Sequence, residues 1–243
     1  MNVSKKDCVL TAAIAILSVS LLINFYLDFS DNERSLDTVA EDVIGSCLEI
    51  TCNDDRTNAS VGTGFIVKYG SETYVISNAH VVTFDNSGSN EAYGSINARY
   101  YNSDAQYSLK VISFDVDLDI AVLEFENESV RGFLSFGDSD KLRYGLRVFT
   151  IGNAMGYGLS VTDGIIAVPL INVEIFGTER LVAQTNININ RGNSGGPLFD
   201  MNGNVVGMMS FRIGNLSGNV QGISFAIPSN VIGDYIESLT HHL

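Results

Sequence analysis

The stretch Asn190-Arg191-Gly192-Asn193-Ser194-Gly195-Gly196-Pro197-Leu198 decides the reading of this chain. It is a polar turn crowded with glycine, entered from the strand-like run 181–189 and left through Leu198-Phe199 and the run 205–209. Glycine adopts backbone angles that residues with a Cβ resist. A turn of this kind can hold a serine hydroxyl clear of the backbone while nearby N–H groups converge where negative charge develops. An isolated Gly-Asn-Ser-Gly is more often an ordinary β-turn. A nucleophilic serine also needs a base, and that base needs a group to orient it.

The chain has three histidines, at 80, 241 and 242. The last two sit beside the C-terminal leucine, where chains fray. His80 ends the apolar run Tyr74-Val75-Ile76-Ser77-Asn78-Ala79-His80. Without the serine turn it would read as a structural histidine; with the turn, it is the candidate base. Asp115, Asp117 and Asp119 precede Ile120-Ala121-Val122-Leu123. Asp119 abuts that apolar run, so its carboxylate can be shielded beside the imidazole. Asp115 and Asp117 read as solvated loop acids.

Chain order separates two hydrolase architectures. Gly192-Asn193-Ser194-Gly195-Gly196 also fits the G-x-S-x-G nucleophile elbow of α/β-hydrolases, which place acid and histidine after the serine. That reading would use Asp200 or Asp234 and the terminal His241 or His242, in a chain without visible strand–helix alternation. The order His80, Asp119, Ser194 is that of the chymotrypsin architecture.

With these residues stand Gly62-Thr63-Gly64-Phe65-Ile66-Val67, Ile151-Gly152-Asn153, Val161-Thr162-Asp163-Gly164-Ile165-Ile166 and Gln184-Thr185. Together, in this order, the motifs resemble the HtrA/Deg branch of trypsin-like serine proteases over residues 39–239. The resemblance implies an all-β fold of two packed antiparallel barrels and peptide-bond hydrolysis through an acyl-enzyme, with no cofactor. Ser194 would attack, His80 would move the proton and Asp119 would orient the imidazole. Gly192 and Ser194 would supply the oxyanion hole, with Asn193 shaping the turn. The primary specificity pocket would be bounded by Asn188, Ile189, Ser210, Phe211, Arg212 and Gly222. The neutral Asn188 stands where an acid selects Lys or Arg, so small or medium uncharged residues are expected before the cut. Phe211 and Arg212 depart from the family's small or aliphatic residues, and Arg212 gives an acidic preference second place. Polypeptide substrates, unfolded or misfolded ones among them, and a homotrimer are further implications. Family members commonly carry a PDZ module after this point, and none is expected here. A latent or catalytically silent domain acting as a binding or chaperone module is the alternative.

Composition bounds the rest. At 243 residues with 45% hydrophobic content, the chain can bury a sizeable core, and 23 glycines against 3 prolines suit tight turns. A formal charge of −14 excludes a phosphate-neutralising stripe, so no nucleic-acid partner is expected. Residues 1–29 stand apart. Lys5 and Lys6 precede an uncharged, largely apolar run at 9–27, and Asp28, Asp31 and Glu33 follow it. About 20 apolar residues can span a bilayer. No small-residue cleavage site follows, so a single-pass anchor is expected. Lysines before the run place the N-terminus in the cytoplasm and the main domain in the periplasm or outside. Cys8 precedes the run and does not fit a lipoprotein signal.

Residues 30–40 read as a tether, with a short helix over 36–43, and residues 41–243 as the protease domain. Short strands are expected at 65–67, 73–77, 96–101, 109–114 and 120–125 in a first barrel spanning 41–135. A crossover at 133–143 leads to a second barrel at 145–228, with strands at 145–152, 161–168, 181–189, 205–211 and 222–227. Residues 85–94 read as a solvent loop, Asn202-Gly203 as a hairpin turn, and 229–240 as a helix with Val231, Ile232, Tyr235, Ile236 and Leu239 at helical spacing. Cys47 and Cys52 could pair in an oxidising compartment, but a spacing of five puts them on opposite faces of a regular strand. Clustered ligands are lacking, so no metal site is expected.

Overall fold

The computed structural model describes residues 14–22, 34–54, 59–127, 130–175, 177–212 and 222–240, the side chains of Phe211 and Arg212 excepted. The chain divides into two units, Met1–Ser35 and Leu36–Leu243. In the first, residues 14–22 are helical. Among the described residues, no helix is long and apolar enough to cross a membrane. Lys5, Lys6, Cys8 and most of the run at 9–27 lie outside the described residues, as do His241 and His242.

The second unit holds two closed six-stranded barrels. The first takes β1 (Cys47–Asn53), β2 (Ala59–Tyr69), β3 (Glu72–Ser77), β6 (Ser95–Tyr100), β7 (Gln106–Asp115) and β8 (Ile120–Phe125), ordered β1-β2-β3-β8-β7-β6. Between them β4 (Thr83–Asn86) and β5 (Ser89–Ala92) form a small hairpin. That hairpin replaces the expected solvent loop, because Ser87 and Gly88 adopt positive φ and Gly88 N–H donates to the Asp85 carboxylate. The second barrel is ordered β10-β11-β14-β13-β12-β9. Its strands are β9 (Arg147–Gly152), β10 (Ser160–Ile175), β11 (Thr178–Thr185), β12 (Pro197–Asp200), β13 (Val205–Arg212) and β14 (Ser224–Pro228).

The period-2 alternation of strands explains where the core lies. In β3 and β8, Val75, Ala121 and Leu123 fill the first barrel, while Ile76, Ile120 and Val122 face a second apolar layer shared by both barrels. Phe149 and Phe199 of the second barrel stack in that shared layer at 4.9 Å between ring centroids. Helix α1 (Leu36–Ile44) adds Val39, Ala40 and Val43, and the terminal helix α3 (Ser229–Thr240) adds Ile232 and Ile236. Each of the Val and Ile side chains contributes about 1.5–3 kcal/mol on leaving water, and the smaller Ala40 less. Residues 36–40, the end of the expected tether, thus belong to a packed helix, the short helix expected over 36–43.

One further expectation changes, and the open question of the cysteines is answered. The run 181–189 leaves the sheet after Thr185, because Asn186 Oδ1 takes the Ile165 N–H and Thr185 Oγ1 takes the Ile187 N–H. Ile187 and Ile189 still point inward, which is why the run reads as a strand. Cys47 and Cys52 are both buried and free. Cys47 belongs to the shared layer and Cys52 to the first barrel's interior, as their opposite faces require. Burial pushes the Cys52 thiol up to about 12 and that of Cys47 higher still.

Candidate active site

A cleft of about 830 Å³ takes its walls from both barrels and includes His80, Asp119, Gly192, Ser194 and Ser210. His80 enters from the one-turn helix α2 (Ala79–Val82), which follows β3 directly. Asp119 closes the turn between β7 and β8 with φ of +59°, left-handed backbone that aspartate tolerates better than most residues. Asp115, read as a solvated acid, forms this turn by accepting the Leu118 N–H at 2.8 Å. Buried Asn78 ties the turn to α2 by donating to the Asp119 carbonyl at 2.9 Å.

The carboxylate of Asp119 meets His80 in three ways. Nδ1 lies 2.9 Å from both Oδ1 and Oδ2, and the His80 backbone N–H donates to Oδ1 at 3.1 Å. The imidazole is half exposed while the carboxylate is only 6% exposed. Burial opposes a charged imidazole and the Arg180 guanidinium opposes it too, yet the Asp119 charge and hydrogen bond hold His80 above its ordinary pKa. For Asp119, burial is outweighed by His80 and by the Ser210 hydroxyl, which together hold the carboxyl below its ordinary value.

Ser210, expected as a pocket wall, lines the cleft and is also tied to the triad residues. Its hydroxyl donates to Asp119 Oδ2 at 2.5 Å, and its carbonyl accepts the Ser194 hydroxyl at 2.9 Å. Ser194 Oγ thus bonds to the strand rather than to the imidazole. Of the other pocket residues, exposed Asn188 accepts the Gly222 N–H at 3.2 Å, and Ile189 is buried and lines the cleft. The side chains of Phe211 and Arg212 lie outside the described residues.

The serine turn is held from behind by residues distant from it in the sequence. Met155 N–H donates to the Arg191 carbonyl at 2.7 Å. A trans peptide then turns the Gly192 N–H the opposite way. The Asn193 carbonyl accepts the Gly196 N–H at 3.0 Å, which reverses the Ser194 N–H likewise. Thr63 Oγ1 donates to the Gly192 carbonyl at 2.6 Å and accepts the Asn153 N–H at 2.9 Å. Asn153 in turn donates from Nδ2 to buried Glu49 at 2.9 Å, and Glu49 also accepts from Arg99 at 2.8 Å. This chain of bonds crosses from the first barrel to the second. Thr63 and Asn153 stand in the quoted motifs without showing their partners, and Glu49 is marked only as an acid between Leu48 and Ile50 in its strand.

Among the described residues, no group of His, Cys, Asp and Glu is arranged to hold a metal ion. The assembled groups suit proton transfer and nucleophilic attack by themselves.

The model of the trypsin-like peptidase domain family matches residues 62–208. The serine protease Do-like HtrB of Bacillus subtilis (strain 168) is 36% identical over 184 residues, 73% of this chain and 38% of that protein. The periplasmic pH-dependent serine endoprotease DegQ of Escherichia coli (strain K12) is 37% identical over 172 residues, 70% of this chain and 35% of its own length. The chain thus spans little more than a third of these curated relatives. Among solved structures, the HtrA-type protease AlgW with a tripeptide superposes with a TM-score of 0.73 at 26% identity, covering 86% of this chain and 64% of that one. The motifs of the sequence, the two barrels and these matches agree: the chain belongs to the trypsin-like peptidase domain family, in its HtrA/Deg-type branch.

Proposed function

We propose that this chain is a serine endopeptidase that cuts polypeptides through an acyl-enzyme at Ser194. The observation that carries the reading is the pairing of His80 with buried Asp119 in the cleft that also holds Ser194 and the reversed N–H groups of Gly192 and Ser194. Ser194 Oγ attacks the carbonyl. His80 takes the proton and returns it to the leaving amine, while Asp119 fixes the tautomer and favours the imidazolium. Gly192 and Ser194 N–H groups hold the oxyanion. Unfolded or misfolded chains outside the cytoplasm are the proposed substrates, in quality control or regulated cleavage, as the family resemblance implies.

The second reading, a latent domain, is favoured by one observation: the Ser194 hydroxyl donates to the Ser210 carbonyl. The endopeptidase reading requires that hydroxyl to leave Ser210 and turn to His80. Fluorophosphonate labelling of the purified protein separates the two, and a peptide library cut by the same preparation reads the specificity. Labelling of Ser194 with cuts after Ala, Val or Thr is the expected result. Absence of labelling across pH 6–9 supports latency, and cuts mainly after Lys or Arg overturn the neutral pocket at Asn188.

The proposed base also sets a pH limit. Free enzyme acts with neutral His80, and Asp119 holds its pKa above the ordinary 6.5. Activity is therefore lost as pH falls through a value above 6.5, and kcat/KM plotted against pH should show that acid limb. A limb at or below 6.5 contradicts the pairing.

We further propose that residues 1–29 anchor the chain in a membrane, with the tether and protease domain on the periplasmic or outer side. The support is Lys5 and Lys6 before the apolar run and acids after it. Reporter fusions after Ser35 are expected to be active only when the reporter requires export. A fusion that works solely in the cytoplasm rules the anchor out.

A further inference from the structure

Arg180 is a cation in the cleft that the triad does not use. It stands on β11 near the tip of the β10–β11 hairpin, whose long strands carry that tip over the turn presenting Asp119. Two bonds fix the contact. Arg180 Nη2 donates to the Val116 carbonyl at 2.9 Å, and Thr178 Oγ1 donates to Asp117 at 3.3 Å. The guanidinium is thus placed before any substrate arrives. One of its five N–H donors is engaged there, and Nε is enclosed with no acceptor among the described residues. Nor does any carboxylate of the described residues form an ion pair with it. In a chain with a formal charge of −14, a cleft cation without a counter-ion is a feature to explain.

Resting on the endopeptidase reading, we propose that Arg180 is a specificity-determining residue that receives a carboxylate of the substrate, an Asp or Glu side chain close to the scissile bond. The fork of a guanidinium matches a carboxylate in geometry as well as charge. Position makes the effect more than binding. His80 must become cationic as the proton leaves Ser194, and Arg180 opposes that charge in the free enzyme. A substrate carboxylate on Arg180 offsets the opposition just as the imidazolium forms. Acidic substrates therefore gain in kcat and not in KM alone. Val116, Ile175 and Tyr93 are apolar or neutral members of the same lining, which also holds a second cation, Arg191, and the acids Asp85 and Asp119.

The test uses the full chain and internally quenched peptides cut by it, with Asp and then Asn placed at each of four positions on either side of the bond. At one position Asp is expected to be cut about tenfold better than Asn, part of it in kcat, with the ratio shrinking in 0.5 M NaCl. Arg180→Gln should bring that ratio to about one. Arg180→Lys, which keeps a charge but not the fork, should retain part of it. Equal cutting of Asp and Asn peptides at all positions overturns the inference while leaving the protease reading intact, and so does a ratio that survives Arg180→Gln. Absence of cutting together with absence of fluorophosphonate labelling overturns the reading beneath it.

Discussion

Ser194→Ala is expected to reduce casein cleavage by about a millionfold in kcat, to the level left by binding and the oxyanion hole. His80→Ala should do the same, since attack without the base leaves a neutral hydroxyl. Asp119→Asn should cost about 10⁴-fold, because an amide beside Nδ1 holds the wrong tautomer. These effects are not additive, so the double variant Ser194→Ala, Asp119→Asn should be no worse than Ser194→Ala. Folding is the control for each. Asp119 is 6% exposed and receives bonds from His80 and Ser210, so its variant needs a thermal unfolding trace beside the kinetics. Proteolysis by Ser194→Ala at the parental rate, in a preparation free of contaminating enzyme, would end the assignment.

Gly192→Ala is the second large effect. Gly192 has φ of +100°, and a Cβ placed there would stand 2.0 Å from the Asn153 carbonyl oxygen. That oxygen belongs to backbone braced by Glu49 and Thr63, so it cannot retreat cheaply. The turn must move instead, and with it the Gly192 N–H. Losing one oxyanion donor costs about 10²–10³ in kcat, or about 3–4 kcal/mol of barrier. KM should change little, since the donor acts mainly on the tetrahedral oxygen. Stability should fall by about 1–3 kcal/mol from the forced backbone. Steady-state kinetics with a quenched peptide, alongside denaturant unfolding, measure both. A variant that keeps the parental kcat would show that the Gly192 N–H does not hold the oxyanion.

The nucleophile turn, the candidate base and the orienting acid were legible because each is carried by a short stretch with a local physical signature. Gly192 and Gly195 take positive φ, so a glycine pattern announces the turn. Period-2 alternation announces strands, and regular turns between them announce barrels. The same reasoning placed Leu36 onward in a helix but ended the tether too late, since the burial of Val39 and Ala40 depends on a shared core no local pattern describes. It misread 186–189 as strand because buried Ile187 and Ile189 imitate strand alternation after the ladder has ended.

What the sequence by itself determined was thus the order of the candidate nucleophile, base and acid, the class of fold and the neutral character of Asn188. Only the tertiary structure decided how that site is held. Thr63 reaches Gly192 across 129 residues, Asn153 reaches Glu49 across 104, and Ser210 reaches Asp119 across 91. It also decided that Arg180 lines the same cleft as His80 and that Ser194 bonds to Ser210. A hydroxyl, a carboxylate or a guanidinium carries no local mark of its partner. Its role is set when two barrels close on each other and exclude water from the few polar groups left between them.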